Sequence, residues 1–213
     1  MVRHGATEWN ASGRYQGQSD VELSELGRRQ ARAIADRLRS DLFDRIYASD
    51  LQRARETAET IALPRRLQVT TDARLREFHF GDWEGLTWPE ITALHPDLNS
   101  RSDIVAAYAP PGGETLADVI ARWSSFQRDV LSERSGRVLV VTHAGMLHAA
   151  MRAMAPHGSE AVTAGRFRFA PTSLTRVVFD ADGSGRVTSL SNASHLDSDS
   201  SHWHEASRQA TRL

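Results

Sequence analysis

The 213-residue chain has no cysteine. That excludes a disulfide framework, a thiolate zinc site and a cysteine nucleophile. Lysine is absent too, since all 26 basic residues are arginine. Schiff-base chemistry and a P-loop lysine are therefore ruled out. No run is long and apolar enough to span a bilayer as a helix, and the first residues lack a signal-peptide core. A net charge of −1 gives no global attraction to nucleic acid or anionic membrane. Aromatic residues are sparse at 7%, but apolar residues reach 40% and charged residues 25%, the balance of a globular domain with a sizeable core. These absences predict a soluble cytoplasmic protein with no nucleic-acid or membrane partner.

What is present is an alternation of strand and helix patterns. "MVRHG", "RIYASD" and "RVLVVTHAG" read as short buried strands, each ending at polar residues. Continuous β-branched runs suit parallel strands covered on both faces. Only Met1 and Val2 precede Arg3, so the first strand is expected to be short. "SELGRRQARAIADRLRS" reads as a helix capped by Ser24, with an apolar stripe of Leu26, Ala31, Ile34, Ala35 and Leu38. A second helix starts near Leu51. A third carries Leu116, Ile120, Trp123, Phe126 and Val130 at helical spacing. "YAPPGGET" is a Pro/Gly loop, and "LTRVVFDADGSGRVTSLS" a late hairpin. The pattern predicts an α/β fold, three layers α/β/α around a mostly parallel sheet. One domain spans 1–213, with a polar, mobile tail over about 193–213.

Ligands of open α/β sheets bind beyond the carboxyl ends of the strands. Arg3 and His4 follow one strand, His143 follows another, and Arg53 begins the helix after a third. Two arginines and two histidines thus converge on one crevice. Arginine forks match phosphate oxygens, so the natural guest is a phosphoryl group.

"RHGATEWN", "GRYQGQSDVELSELGRRQA", "YASDLQRARETAE", "LREFHFGDWEG", "PPGGET" and "VVTHAG" occur in this order. Together they resemble the histidine phosphatase superfamily, also called phosphoglycerate mutase-like. The resemblance implies the phosphoglycerate mutase-like fold, phosphoryl transfer through a phosphohistidine, and no metal or other cofactor. It implies His4 as nucleophile, Arg3, Arg53 and His143 around the phosphoryl oxygens, and Glu77 as proton donor. Asn10, Gln16, Gly17 and Ala144 match positions that line phosphate or substrate. The expected partner is a small-molecule phosphate ester, bound by a monomer or homodimer.

Alternatives stand beside each assignment. Asp82 and Glu84 rival Glu77 as the acid. His143 and His148 lack the glutamate of an HExxH zinc motif, and His202 and His204 lie in the polar tail. The resemblance leaves three functions open: phosphomonoesterase, phosphoglycerate mutase, and non-catalytic phospho-ligand binder. Mutases of the family carry a long, cation-rich insertion after the acid loop. Here the span from Glu77 to Gly112 is short, with Arg101 its one cation, which favours the phosphatase branch. The segment over about 88–115 is expected to cover the substrate. Phe78, Trp83, Trp88 and Tyr108 are available to contact the leaving group or to pack that cover.

Overall fold

The computed structural model describes residues 1–100, 109–132, 136–154, 168–180 and 183–196. Six strands are present among them: β1 (Val2–Arg3), β2 (Arg45–Ala48), β3 (Val69–Thr71), β4 (Val138–Thr142), β5 (Leu174–Phe179) and β6 (Gly185–Asn192). They form one sheet in the order β3-β2-β4-β1-β5-β6. β3, β2, β4 and β1 run parallel, while β5 and β6 are antiparallel to their neighbours. β1 is as short as expected, yet it is interior. Val2 pairs with Val141 on one side and Leu174 on the other.

The helices are α1 (Glu8–Ala11), α2 (Glu25–Arg37), α3 (Gln52–Ala62), α4 (Trp88–Leu94), α5 (Leu116–Ser132) and α6 (Ala144–Met154). Ser24 caps α2 by accepting the Gly27 N–H at 3.1 Å. The buried face of α2 is Gly27, Gln30, Ala31, Ile34 and Ala35. Leu26, placed in the stripe by spacing, is instead exposed.

Period-2 alternation distributes the strand side chains between two cores. Leu139 and Val141 of β4 join Ile46 and Ala48 of β2 against Ile34, Ala54, Ala58 and Ile61 of α2 and α3. Val140 faces the other way, with Trp123 and Phe126 of α5 and Leu147 and Met151 of α6. Burying each Leu, Ile or Val contributes about 1.5–3 kcal/mol, so the central strands β2 and β4 are held from both faces.

Four elements went unread in the sequence: the short helices α1 and α4, edge strand β3, and α6, which follows β4 almost without a break. The tail beyond 196, Tyr108, Arg101, His202 and His204 lie outside the described residues. No helix among the described residues is long and apolar enough to cross a membrane.

Candidate active site

The chain visits β1, β2 and β3 before β4 returns between β2 and β1. The crevice beyond β1, β4 and β2 therefore lies where the strand order reverses. Pairing of Arg3 with Thr142 sets His4 beside His143, one residue past each strand. His4 N–H still donates to the Thr142 carbonyl at 2.9 Å, and the two imidazole centroids are 5.0 Å apart. Both histidines are buried.

His4 Nδ1 lies 2.7 Å from the Gly5 carbonyl oxygen. A carbonyl only accepts, so Nδ1 carries the proton and Nε2 presents a lone pair. Neither ring nitrogen of His143 has a partner among the described residues.

Arg53 is fully buried at the start of α3. Its Nη1 donates to the Ser19 carbonyl at 2.8 Å and its Nη2 to the Gly17 carbonyl at 2.7 Å. These partners are neutral, so its charge is not cancelled by a contact ion pair. Arg53 also shapes the segment bearing Gln16 and Gly17. Gly17 has φ +52°, and a Cβ there would lie 2.1 Å from Glu84 Oε1. Gln16 is buried, and its Oε1 has no partner among the described residues. Arg3 Nη1 donates to the Phe169 carbonyl at 2.6 Å.

Glu77 is held by the first turn of α6. Its Oε1 accepts from Phe78 N (3.0 Å) and Met146 N (3.2 Å), and its Oε2 from Gly145 N (3.1 Å). A Cβ on Gly145 would stand 2.3 Å from Glu77 Oε1, so glycine is required there. The rival carboxylates are placed differently. Glu84 accepts from Gln18 N, Phe80 N, Ser19 N and Ser19 Oγ, tying two loops together. Asp82 is exposed. Ala144 opens α6 directly after His143. Asn10 spends its Oδ1 on the capping box of α1 with Thr7, which leaves its amide nitrogen as the end available to an anion.

Several supports escaped sequence reading. Arg122 of α5 donates to the carbonyls of Arg74, Arg76 and Glu77 and is paired with Glu114. Glu114 belongs to "PPGGET", which spacing alone marked only as a break. Trp83 is core rather than pocket wall, and Phe78 is buried against Phe80.

Burial, then the charges of Arg53 and Arg3, depress His4 well below its ordinary value of 6.5; the Gly5 carbonyl opposes this weakly. His143 is depressed for the same reasons, burial first, then Arg53, His4 and Arg3. Burial lowers Arg3 and Arg53 to about 10, so both stay charged at neutral pH. Glu77 partly offsets that lowering in each, so its carboxylate is close enough to be felt by both. The result is a cationic cradle of buried Arg53 and half-buried Arg3 beside two neutral imidazoles. Among the described residues, no three His, Asp or Glu side chains are grouped to hold a metal ion.

Stability against pH follows. The unfolded chain protonates His4 and His143 below 6.5 and the folded chain does not, so stability is lost as pH falls through that value. Each contributes a slope approaching about 1.4 kcal/mol per pH unit. Urea midpoints are expected to drop between about pH 7 and about pH 5, less so in His143→Asn and less so with phosphate bound. Midpoints that do not move with pH would contradict the neutral-imidazole assignment.

A family model described as "Histidine phosphatase superfamily (branch 1)" matches residues 1–193. The chain is 40% identical over 163 residues to glucosyl-3-phosphoglycerate phosphatase of Mycobacterium tuberculosis, covering 72% of this chain and 73% of that one. It is 36% identical over 209 residues to the metal-independent phosphoserine phosphatase of Arabidopsis thaliana, covering 93% and 82%. A solved mycobacterial glucosyl-3-phosphoglycerate phosphatase with VO3 superposes at a TM-score of 0.82 and 34% identity, covering 90% of this chain and 97% of that one. This chain belongs to the histidine phosphatase superfamily.

Proposed function

We propose that this chain hydrolyses small phosphate monoesters by passing the phosphoryl group through Nε2 of His4. As a histidine phosphatase it is a phosphoric monoester hydrolase, and its phosphatase relatives support small phosphorylated metabolites as substrates. The observation that carries the nucleophile is the 2.7 Å contact of Nδ1 with the Gly5 carbonyl, beside the buried guanidinium of Arg53 and the half-buried Arg3.

The His4 Nε2 lone pair attacks phosphorus as the ester P–O bond breaks. Arg3, Arg53 and His143 bind the equatorial oxygens, where charge spreads in the transition state. The alkoxide takes a proton from Glu77. Oε1 already accepts two N–H groups, so the proton sits on Oε2, which accepts one. The phosphorylated ring is cationic, and the Gly5 carbonyl on Nδ1–H stabilises it. Glu77 then takes a proton from water, the hydroxide attacks phosphorus, the P–N bond breaks, and its electrons return to Nε2. Asn10, Gln16, Gly17 and Ala144 line the phosphate side. Of the segment over 88–115 expected to cover the substrate, residues 101–108 lie outside the described residues.

Two guanidiniums do the charge work that a metal does elsewhere. Phosphate release from a panel of phosphomonoesters is expected to survive exhaustive chelation, and 3-phosphoglycerate to yield phosphate rather than 2-phosphoglycerate. A loss restored by magnesium or zinc defeats metal independence. Mutase turnover above phosphate release defeats hydrolysis.

A further inference from the structure

We infer that Gln30 and Thr57 are positioning residues that clamp Gly5 from two helices and thereby hold its carbonyl on His4 Nδ1–H. The inference rests on the proposal that His4 is the nucleophile. The carbonyl selecting the His4 tautomer belongs to a glycine, the residue least able to fix its own backbone. Glycine is nevertheless required at this position, because a Cβ on Gly5 would lie 2.5 Å from the Gly27 carbonyl oxygen.

Rigidity is supplied from outside instead. The peptide joining Gly5 to Ala6 is planar, so fixing its N–H fixes the direction of its C=O. That N–H, on Ala6, donates to Gln30 Oε1 at 2.9 Å. On the other side of Gly5, its own N–H donates to Thr57 Oγ1 at 3.1 Å. The Thr57 hydroxyl gives its hydrogen to the Arg53 carbonyl at 2.8 Å, leaving its lone pairs for Gly5. Both flexible dihedrals of Gly5 are thus bracketed by hydrogen bonds.

Gln30 is a buried polar residue on the otherwise apolar buried face of α2, and Thr57 is buried on the face of α3 that also carries Arg53. Gln30 Nε2 has no partner among the described residues, so the oxygen end alone accounts for its burial. Thr57 sits one helical turn after Arg53. A single helix therefore carries a phosphate-gripping arginine and the residue that steadies the nucleophile.

Imidazole nitrogen NMR on the resting protein, with His4 assigned by its loss in His4→Asn, reads the tautomer directly. The expected result is a protonated Nδ1 and a bare Nε2. Gln30→Met and Thr57→Val are expected to mix the tautomers and lower kcat about tenfold, the scale of one hydrogen bond. The loss should be equal for alkyl and nitrophenyl esters, because both need the same nucleophile. Thr57→Ser keeps the hydroxyl and should restore a single tautomer and wild-type kcat. If Gln30→Met fails to fold, the Thr57→Ser and Thr57→Val pair decides. A resting His4 protonated on Nε2 would overturn the inference. So would Val and Ser variants of Thr57 that behave alike. The tautomer is read without substrate, whereas trapping phosphate on His4 tests the nucleophile itself, so either result can fail alone.

Discussion

His4→Ala is expected to lower turnover by roughly 10⁴–10⁶-fold, the scale of removing a covalent nucleophile. Rapid quenching of the wild-type protein with phosphate-labelled substrate should trap an acid-labile, base-stable adduct on the peptide containing His4. In His4→Ala that adduct should vanish. The cradle of Arg3, Arg53 and His143 stays in the variant, so phosphate should still bind. Loss of turnover with retained phosphate affinity separates a missing nucleophile from a collapsed pocket. His143→Ala should instead weaken both, because its unpartnered ring nitrogens are available to the phosphoryl oxygens rather than to phosphorus. His4→Ala protein that keeps most of its turnover would end the phosphohistidine mechanism.

The strand ends were legible because apolar runs stop at chemistry-bearing residues: Val2 gives way to Arg3 and His4, and Thr142 to His143. Their convergence was legible only as far as parallel pairing could be assumed. The pairing of Arg3 with Thr142 is what sets the imidazoles side by side. β3 was hidden because it is three residues at an edge, with Thr70 and Thr71 exposed. α6 was hidden because its apolar residues continue the run of β4, and its early Gly145 reads as a breaker. That glycine is there for Glu77, whose Oε1 would meet a Cβ at 2.3 Å. The choice among Glu77, Asp82 and Glu84 needs distances between loops far apart in sequence, and no spacing rule supplies them. Gln30 is different. It went unremarked beside the stripe of Ala31, Ile34 and Ala35, and its purpose appears only once the Ala6 N–H is seen against it.

Glu77→Gln is expected to depress turnover of alkyl phosphates by roughly 10²–10⁴-fold while largely sparing p-nitrophenyl phosphate. An alkoxide must be protonated as its bond breaks, whereas a nitrophenolate leaves unaided. The substitution also has a structural side. Glu77 accepts three backbone N–H groups, two of them from the first turn of α6. A glutamine there can keep its oxygen on Phe78 and Met146, but its NH₂ then faces the Gly145 N–H, donor against donor. Some loss of stability is therefore expected, on the order of 1–3 kcal/mol for one buried donor left unsatisfied. That cost falls on both esters alike, since it disturbs the loop before any substrate binds. The ratio of the two turnovers removes it and isolates the proton. Arg122 and Glu114 brace the same loop through the Glu77 carbonyl. An Arg122→Met variant should shift the ratio in the same direction by less, because the acid is present but loosely aimed. Equal losses for both esters in Glu77→Gln would reduce Glu77 to an anchor for α6. A selective loss in Asp82→Asn or Glu84→Gln would move the acid to that residue and leave His4 as the nucleophile.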